Sequence, residues 1–129
     1  MKPVVYDAGV LIAADRGERR IWAEHRVRLE AGYAPLVPAP VVAQASRSPR
    51  QAQLRQLLRG CEVVAFDEDA AHRVGKLLAA SKTNDIADGS VVALAVERKA
   101  DARTEDGADI RRLVSASRAR VRVVQSSGG

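Results

Sequence analysis

The sequence predicts an α/β protein in which a central, mostly parallel sheet is flanked by helices. Short apolar stretches alternate with amphipathic ones along the 129-residue chain, and this alternation is typical of parallel strands joined by helices. Hydrophobic residues make up 47% of the chain but aromatic residues only 3%. We therefore expect one core, built from small aliphatic side chains between closely packed layers.

The amino-terminal residues predict a strand followed by two helices. Residues 2–6 (KPVVY) are short, apolar and rich in β-branched side chains, as in a strand. Residues 8–15 (AGVLIAAD) predict a short apolar helix that stops near Gly17. Residues 18–31 place apolar side chains at helical spacing among charged ones and stop at Gly32, which predicts a second helix.

Proline residues mark the next elements. Residues 34–37 (APLV) predict a second strand, and Pro40 is suited to open a helix over 41–47. The Ser48-Pro49 step interrupts that helix and restarts another over 50–59, whose leucines share one face.

The second half of the chain continues the alternation. Residues 61–66 (CEVVAF) predict a third strand, and Asp67 caps a long helix that reaches residue 81. Four further elements follow: a helix from 83 to about 98, a strand at 100–104, a helix at 109–115 and a strand at 120–124. We predict one domain over residues 1–125 and a disordered tail at 126–129.

Composition narrows the classes of function. The chain has 21 Lys and Arg against 16 Asp and Glu, a net charge of +5, which suits a polyanionic partner such as nucleic acid. Cys61 is the sole cysteine, so a disulfide within the chain is excluded. Apolar runs are too short for a membrane span, and the first residues lack the pattern of a signal peptide. We expect a cytoplasmic protein.

Three acidic residues map to one edge of the predicted sheet. Asp7 directly follows the first strand, Asp106 follows the fourth, and Asp88 lies on the inward face of the first turn of an apolar helix. In a parallel sheet, ligands bind beyond the carboxyl ends of the strands. An alternative explanation is structural. Asp7 and Asp85 would be helix caps, the helix dipole would stabilise the Asp88 carboxylate, and Asp106 would be a turn residue.

A shared cation would explain why the three carboxylates occur together. Carboxylates gathered in one cleft repel one another, which raises their pKa values and destabilises the fold. A divalent cation removes that repulsion, and oxygen-only ligands suit Mg²⁺ or Mn²⁺. The sequence thus predicts a metal site formed by Asp7, Asp88 and Asp106.

Four segments in this order carry a resemblance to a known family. They are VVYDAGVLIAAD, PAPVVAQASR, NDIADGSVVALA and RTEDGADIRRL. Together they resemble the PIN domain, and within it the toxin ribonucleases of the VapC type, from about residue 2 to residue 124. Each motif is weak by itself, whereas the ordered set is specific.

The resemblance implies a three-layer PIN-like fold and a function. It implies a metal-dependent endoribonuclease, the toxin of a type II toxin–antitoxin pair, which uses Asp7, Asp88 and Asp106 to hold Mg²⁺ or Mn²⁺. It further implies a homodimer that a small cognate antitoxin neutralises by filling the cleft. RNA would be hydrolysed by an activated water, leaving a 3′-hydroxyl and a 5′-phosphate.

Other polar residues complete the predicted site. Gln44 stands where many PIN domains have a glutamate, and an amide orients water or binds metal through its carbonyl oxygen but does not neutralise the ion. Arg47 and Arg50 flank the break beside Gln44, and we predict that they bind phosphates of the substrate. The alternative is that they belong to a solvated helix face with no role in binding. His25 and His72 lie in charged helical stretches, and we predict both on the surface.

Two other classes of function remain open. Receiver and haloacid-dehalogenase proteins also have an aspartate after the first strand. The haloacid dehalogenases require a second aspartate two positions later, and this position is Gly9 here. A PIN-like module that binds RNA or a partner without cutting is the more serious alternative, because of Gln44.

Overall fold

The computed structural model describes residues 1–126, and in this range five parallel strands form one sheet that seven helices flank. The strands are β1 (Val4–Tyr6), β2 (Leu36–Pro38), β3 (Glu62–Val64), β4 (Asp101–Thr104) and β5 (Val123–Gln125). The helices are α1 (Ala8–Asp15), α2 (Arg19–Glu30), α3 (Ala39–Ala45), α4 (Ala52–Arg59), α5 (Glu68–Ser81), α6 (Ile86–Arg98) and α7 (Gly107–Ser117). The predicted α/β, three-layer fold class is confirmed, and the predicted elements all form.

The strand order β3-β2-β1-β4-β5 puts β1 at the centre of the sheet. Val4, Val5 and Tyr6 are buried, as expected for a strand covered on both faces. Strand β4 lies beside β1 in parallel register, with Tyr6 opposite Arg103. The Asp7 amide donates to the carbonyl of Arg103 at 2.9 Å, so the residues that follow β1 and β4 leave the sheet side by side.

Helix α2 buries Ile21 and His25, whereas Val27 and Leu29 are exposed. The prediction that His25 lies on the surface is therefore wrong: its Nδ1 is 2.9 Å from the hydroxyl oxygen of Tyr6. Its ring also packs edge-on against Trp22. A buried histidine needs such a polar partner, and Tyr6 supplies it from the central strand. His72 is exposed, as predicted.

The carboxyl-terminal residues were predicted to form a disordered tail at 126–129. Residues 127–129 lie outside the described part of the chain, and the Ser126 hydroxyl forms hydrogen bonds with Arg103 and Glu105.

Between residues 1 and 126, no helix has the length and apolar character needed to cross a membrane.

Helices α5 and α6 pack closely because Gly89 has no side chain. A Cβ at this position would lie 2.9 Å from Cγ1 of Val74 and 3.0 Å from Cδ2 of Leu78. Val74 is buried and β-branched, so it has few rotamers available to make room. Gly75, also within α5, has no atom within 4 Å of an added Cβ and is exposed to solvent.

These two glycines should respond oppositely to substitution. We expect Gly89→Val to lower the free energy of unfolding by about 1–3 kcal/mol through overpacking. We expect Gly75→Ala to raise it by about 1 kcal/mol, because alanine favours the helix. Urea denaturation of both variants measures the effect, and a Gly89→Val protein as stable as the parent would refute the described α5–α6 packing.

Candidate active site

A cavity of about 240 Å³ opens at the carboxyl edge of the sheet. It lies where β1 and β4 end and where α1, α6 and α7 begin. The structure brings to it the four residues that the sequence predicts as catalytic, together with three further acidic side chains. The lining includes Asp7, Gln44, Asp85, Asp88, Glu105, Asp106 and Asp109.

Asp7 is the most buried carboxylate of the cavity, with 7% of its surface exposed. One oxygen accepts from the Ala8 amide at 2.7 Å, which caps α1, and the other accepts from the Thr104 hydroxyl at 2.7 Å. Burial raises the pKa of Asp7, the two hydrogen bonds lower it in part, and the charges of Asp85 and Asp106 raise it further. The net shift is upward, because desolvation outweighs the hydrogen bonds.

Asp88 occupies the third position of α6, with its own amide donating to the Asp85 side chain at 2.9 Å. Asp85 is thus the N-cap of α6, as the structural alternative proposed. Burial raises the pKa of Asp88 to about 7, and the carboxylates of Asp7, Asp85, Asp109 and Asp106 add to the shift. Asp88 therefore lies in an electrostatic environment that disfavours its ionised form.

Asp106 is exposed and is the N-cap of α7, where its side chain accepts from the Ala108 amide at 3.4 Å. Thr104, the last residue of β4, connects it to Asp7: the buried Thr104 hydroxyl accepts from the Asp106 amide at 3.1 Å. Thr104 was not among the site residues predicted from the sequence. Its position at the end of a strand, two residues before a candidate ligand, was the available signal.

Glu105 differs from the other acids of the cavity because arginines neutralise it. Arg103 is fully buried and places Nη1 3.0 Å from a Glu105 oxygen, and Arg20 forms a further ion pair with Glu105. Partial burial raises the pKa of Glu105, but hydrogen bonds from Arg20, Ser126 and Arg103 outweigh it and hold the pKa below its usual range. Glu105 is therefore already charge-compensated, whereas Asp88 is not.

The chemistry of this donor set fits a hard divalent cation. The lining offers carboxylate and amide oxygens. Neighbouring carboxylates add to the burial that raises the pKa values of Asp7 and Asp88. Within residues 1–126, however, no three His, Cys, Asp or Glu side chains are arranged to ligate one ion together. Mg²⁺ usually retains several waters and takes only one or two carboxylates directly, so water-mediated contacts are compatible with this arrangement.

The predicted substrate-binding arginines lie outside the cavity lining. Arg47 and Arg50 are exposed, in the segment between α3 and α4. The Arg47 guanidinium donates to the carbonyls of Ala43 and Ser46, at 3.0 and 2.7 Å. Gln44 is exposed and does line the cavity. The substrate role of the two arginines stays a prediction.

The raised pKa of Asp88 has a consequence for stability. In metal-free protein the folded state binds the Asp88 proton more tightly than the unfolded state, so stability falls as pH rises from the ordinary value of 3.8 to about 7. We expect Asp88→Asn to raise the free energy of unfolding at pH 8 by roughly 1–2 kcal/mol, and much less at pH 4. Urea denaturation in EDTA at both pH values measures this.

Asp69→Asn is the matched control, because Asp69 is an exposed acid in the first turn of α5. It should show no such gain at pH 8. If the two variants changed the free energy of unfolding at pH 8 by the same amount, the surroundings of Asp88 would not disfavour its ionised form.

The comparisons with known proteins identify the fold. No protein-family model and no curated protein matches the sequence. Among solved structures, VapBC2 from Rickettsia felis bound to a promoter DNA fragment matches with a TM-score of 0.71 and 12% identity, covering 96% of this chain and 98% of that one. DNA-bound VapBC from Salmonella typhimurium gives a TM-score of 0.67 and 16% identity over 97% and 98%. FitAcB from Neisseria gonorrhoeae gives 0.65 and 16% over 95% and 96%. The chain therefore has the fold of the VapC-type PIN domain.

Proposed function

We propose that the protein is a metal-dependent endoribonuclease and the toxin of a type II toxin–antitoxin pair. The observation that carries this proposal is the convergence of Asp7, Asp88 and Asp106 on one cavity at the carboxyl edge of the sheet. The net charge of +5 supports a polyanionic substrate. The similar solved structures include toxin–antitoxin complexes, which supports the toxin role.

Asp7, Asp88 and Asp106 would hold one Mg²⁺ or Mn²⁺, with Gln44 orienting a water through its amide. When bound, the ion supplies a Lewis acid that offsets the charge of the phosphate and lowers the pKa of water. Asp7 is suited to fix the position of the site, because Thr104 and the Ala8 amide hold both of its oxygens. Burial and four neighbouring carboxylates disfavour the ionised form of Asp88, which a bound cation would offset.

The reaction is hydrolysis of an RNA phosphodiester. The oxygen of water forms a bond to phosphorus while the bond from phosphorus to the 3′ oxygen breaks. The water gives up a proton to solvent, and the departing 3′ oxygen takes one up, so the products are a 3′-hydroxyl and a 5′-phosphate. No side chain forms a covalent intermediate. Arg47 and Arg50 would contact phosphates that flank the cleaved bond without reading base sequence.

The partners we propose are an RNA substrate, a cognate protein antitoxin and a second copy of the chain. An antitoxin segment that places a cationic side chain among the carboxylates would compete with the metal and close the cleft, because it compensates the same charge. Charge compensation would therefore link metal binding and neutralisation of the toxin.

A second candidate function is a PIN-like module that binds RNA or a protein without cutting. Two observations favour it: Gln44 takes the place of a charged ligand, and no three acidic side chains in the described range are arranged as direct ligands. Such a module would bind RNA equally well with and without a divalent cation.

Cleavage of RNA separates the two candidates. We expect purified protein to cut a mixture of tRNA and ribosomal RNA in Mn²⁺ or Mg²⁺ but not in EDTA. Asp88→Asn should lower the rate on the order of 100-fold, because it removes a charge from the ion's surroundings. The control Asp69→Asn removes an equal charge outside the cavity and should cut normally. Normal Mn²⁺ binding with intact RNA would support the non-catalytic module.

A further inference from the structure

The carboxyl-terminal part of the chain carries an unusual excess of positive charge. From residue 110 to residue 129 the sequence has no acidic residue and has five arginines: Arg111, Arg112, Arg118, Arg120 and Arg122. All five are exposed. In the described part of the chain, none of their guanidinium groups forms an ion pair or a hydrogen bond with a protein group. Arg103, by contrast, is paired with Glu24 and Glu105.

Two of these arginines line an open groove between α7 and β5. The groove has a volume of about 490 Å³, and its lining contains no acidic residue. Arg111 lies within α7, whereas Arg118 is the C-cap residue that ends the helix, and both line the groove. The floor between them consists of small and β-branched side chains: Val114, Ser115, Ala119, Val121 and Val123.

The groove adjoins the acidic cavity. Arg111 lies over Gly107, the first residue of α7, because a Cβ added at Gly107 would collide with the Arg111 guanidinium and with the Gln125 side chain. Gly107 directly follows Asp106, which lines the cavity. A chain that leaves the cavity past Gly107 would therefore meet Arg111 first and Arg118 next.

We propose that this groove, which we call the α7–β5 groove, binds the sugar–phosphate backbone of single-stranded RNA next to the acidic cavity. Spaced, unpaired arginines bind successive phosphates without reading bases. An acidic protein helix is less suited to the groove, because such a helix needs large exposed apolar anchor sites. Within residues 1–126, none of the large exposed hydrophobic side chains lines the groove, and its valines are partly buried. This inference rests on the proposed function, since it names the path of its substrate.

RNA binding in EDTA tests the groove separately from catalysis. The probe is a 5′-fluorescein single-stranded RNA of about 12 nucleotides and mixed sequence, with Kd measured by fluorescence anisotropy at several salt concentrations. We expect the double variant Arg111→Gln, Arg118→Gln to weaken binding about 10-fold. The slope of log Kd against log salt should fall by about 1.4, since each lost phosphate contact contributes about 0.7.

The matched control is the double variant Arg112→Gln, Arg120→Gln, which removes the same charge from neighbouring positions that do not line the groove. It should weaken binding less than about 3-fold, as expected for a general charge effect without lost phosphate contacts. Arg111→Lys, Arg118→Lys keeps both charges and should keep most of the affinity, which excludes misfolding as the cause of the loss.

The groove assignment is overturned if the two glutamine pairs weaken RNA binding equally. It is also overturned if Arg111→Gln, Arg118→Gln binds RNA normally but loses affinity for a fluorescein-labelled oligoglutamate peptide, because the groove then serves an acidic protein. A protein that binds RNA through the groove but cuts none would retain this inference while the nuclease proposal fails.

Discussion

The buried carboxylate of Asp7 is the constraint on which the rest of the site depends. It lies at the carboxyl end of the central strand with 7% of its surface exposed. The parallel register of β1 and β4 brings Thr104 against it, and the Thr104 hydroxyl in turn receives the Asp106 amide. The position of Asp106 is therefore set by the sheet. A carboxylate this buried is stable as an anion only with hydrogen-bond donors and a nearby positive charge.

Helix capping explains part of the acidic cluster but not all of it. Asp7, Asp85 and Asp106 each cap a helix that begins at this edge, α1, α6 and α7. Asp88 is not needed as a cap, because Asp85 already accepts the amide at that end of α6. Its carboxylate is nevertheless placed among four others, with its pKa raised to about 7. Burial is the larger cause of that shift and the neighbouring carboxylates are the smaller one, and a bound cation would offset both.

The backbone was predictable because its signals are local. Apolar runs, prolines and capping residues in the sequence mark each of the strands and helices, and chain order suffices to bring Asp7, Asp88 and Asp106 to one edge. The interactions that tune the site were not predictable, since they join distant parts of the chain. His25 is buried because of Tyr6, and Arg103 because of Glu24 and Glu105. A charged helix such as α2 therefore gives no local sign of which polar residues face inward.

We propose that Asp7, Asp88 and Asp106 share one divalent cation, and anomalous diffraction from crystals grown with Mn²⁺ can locate it. We expect one strong manganese peak in the cavity, within direct or water-mediated reach of all three carboxylates, and loss of that peak in Asp88→Asn. A fully ordered, Mn²⁺-saturated crystal with no peak there, or with a peak that Asp88→Asn leaves unchanged, would contradict it.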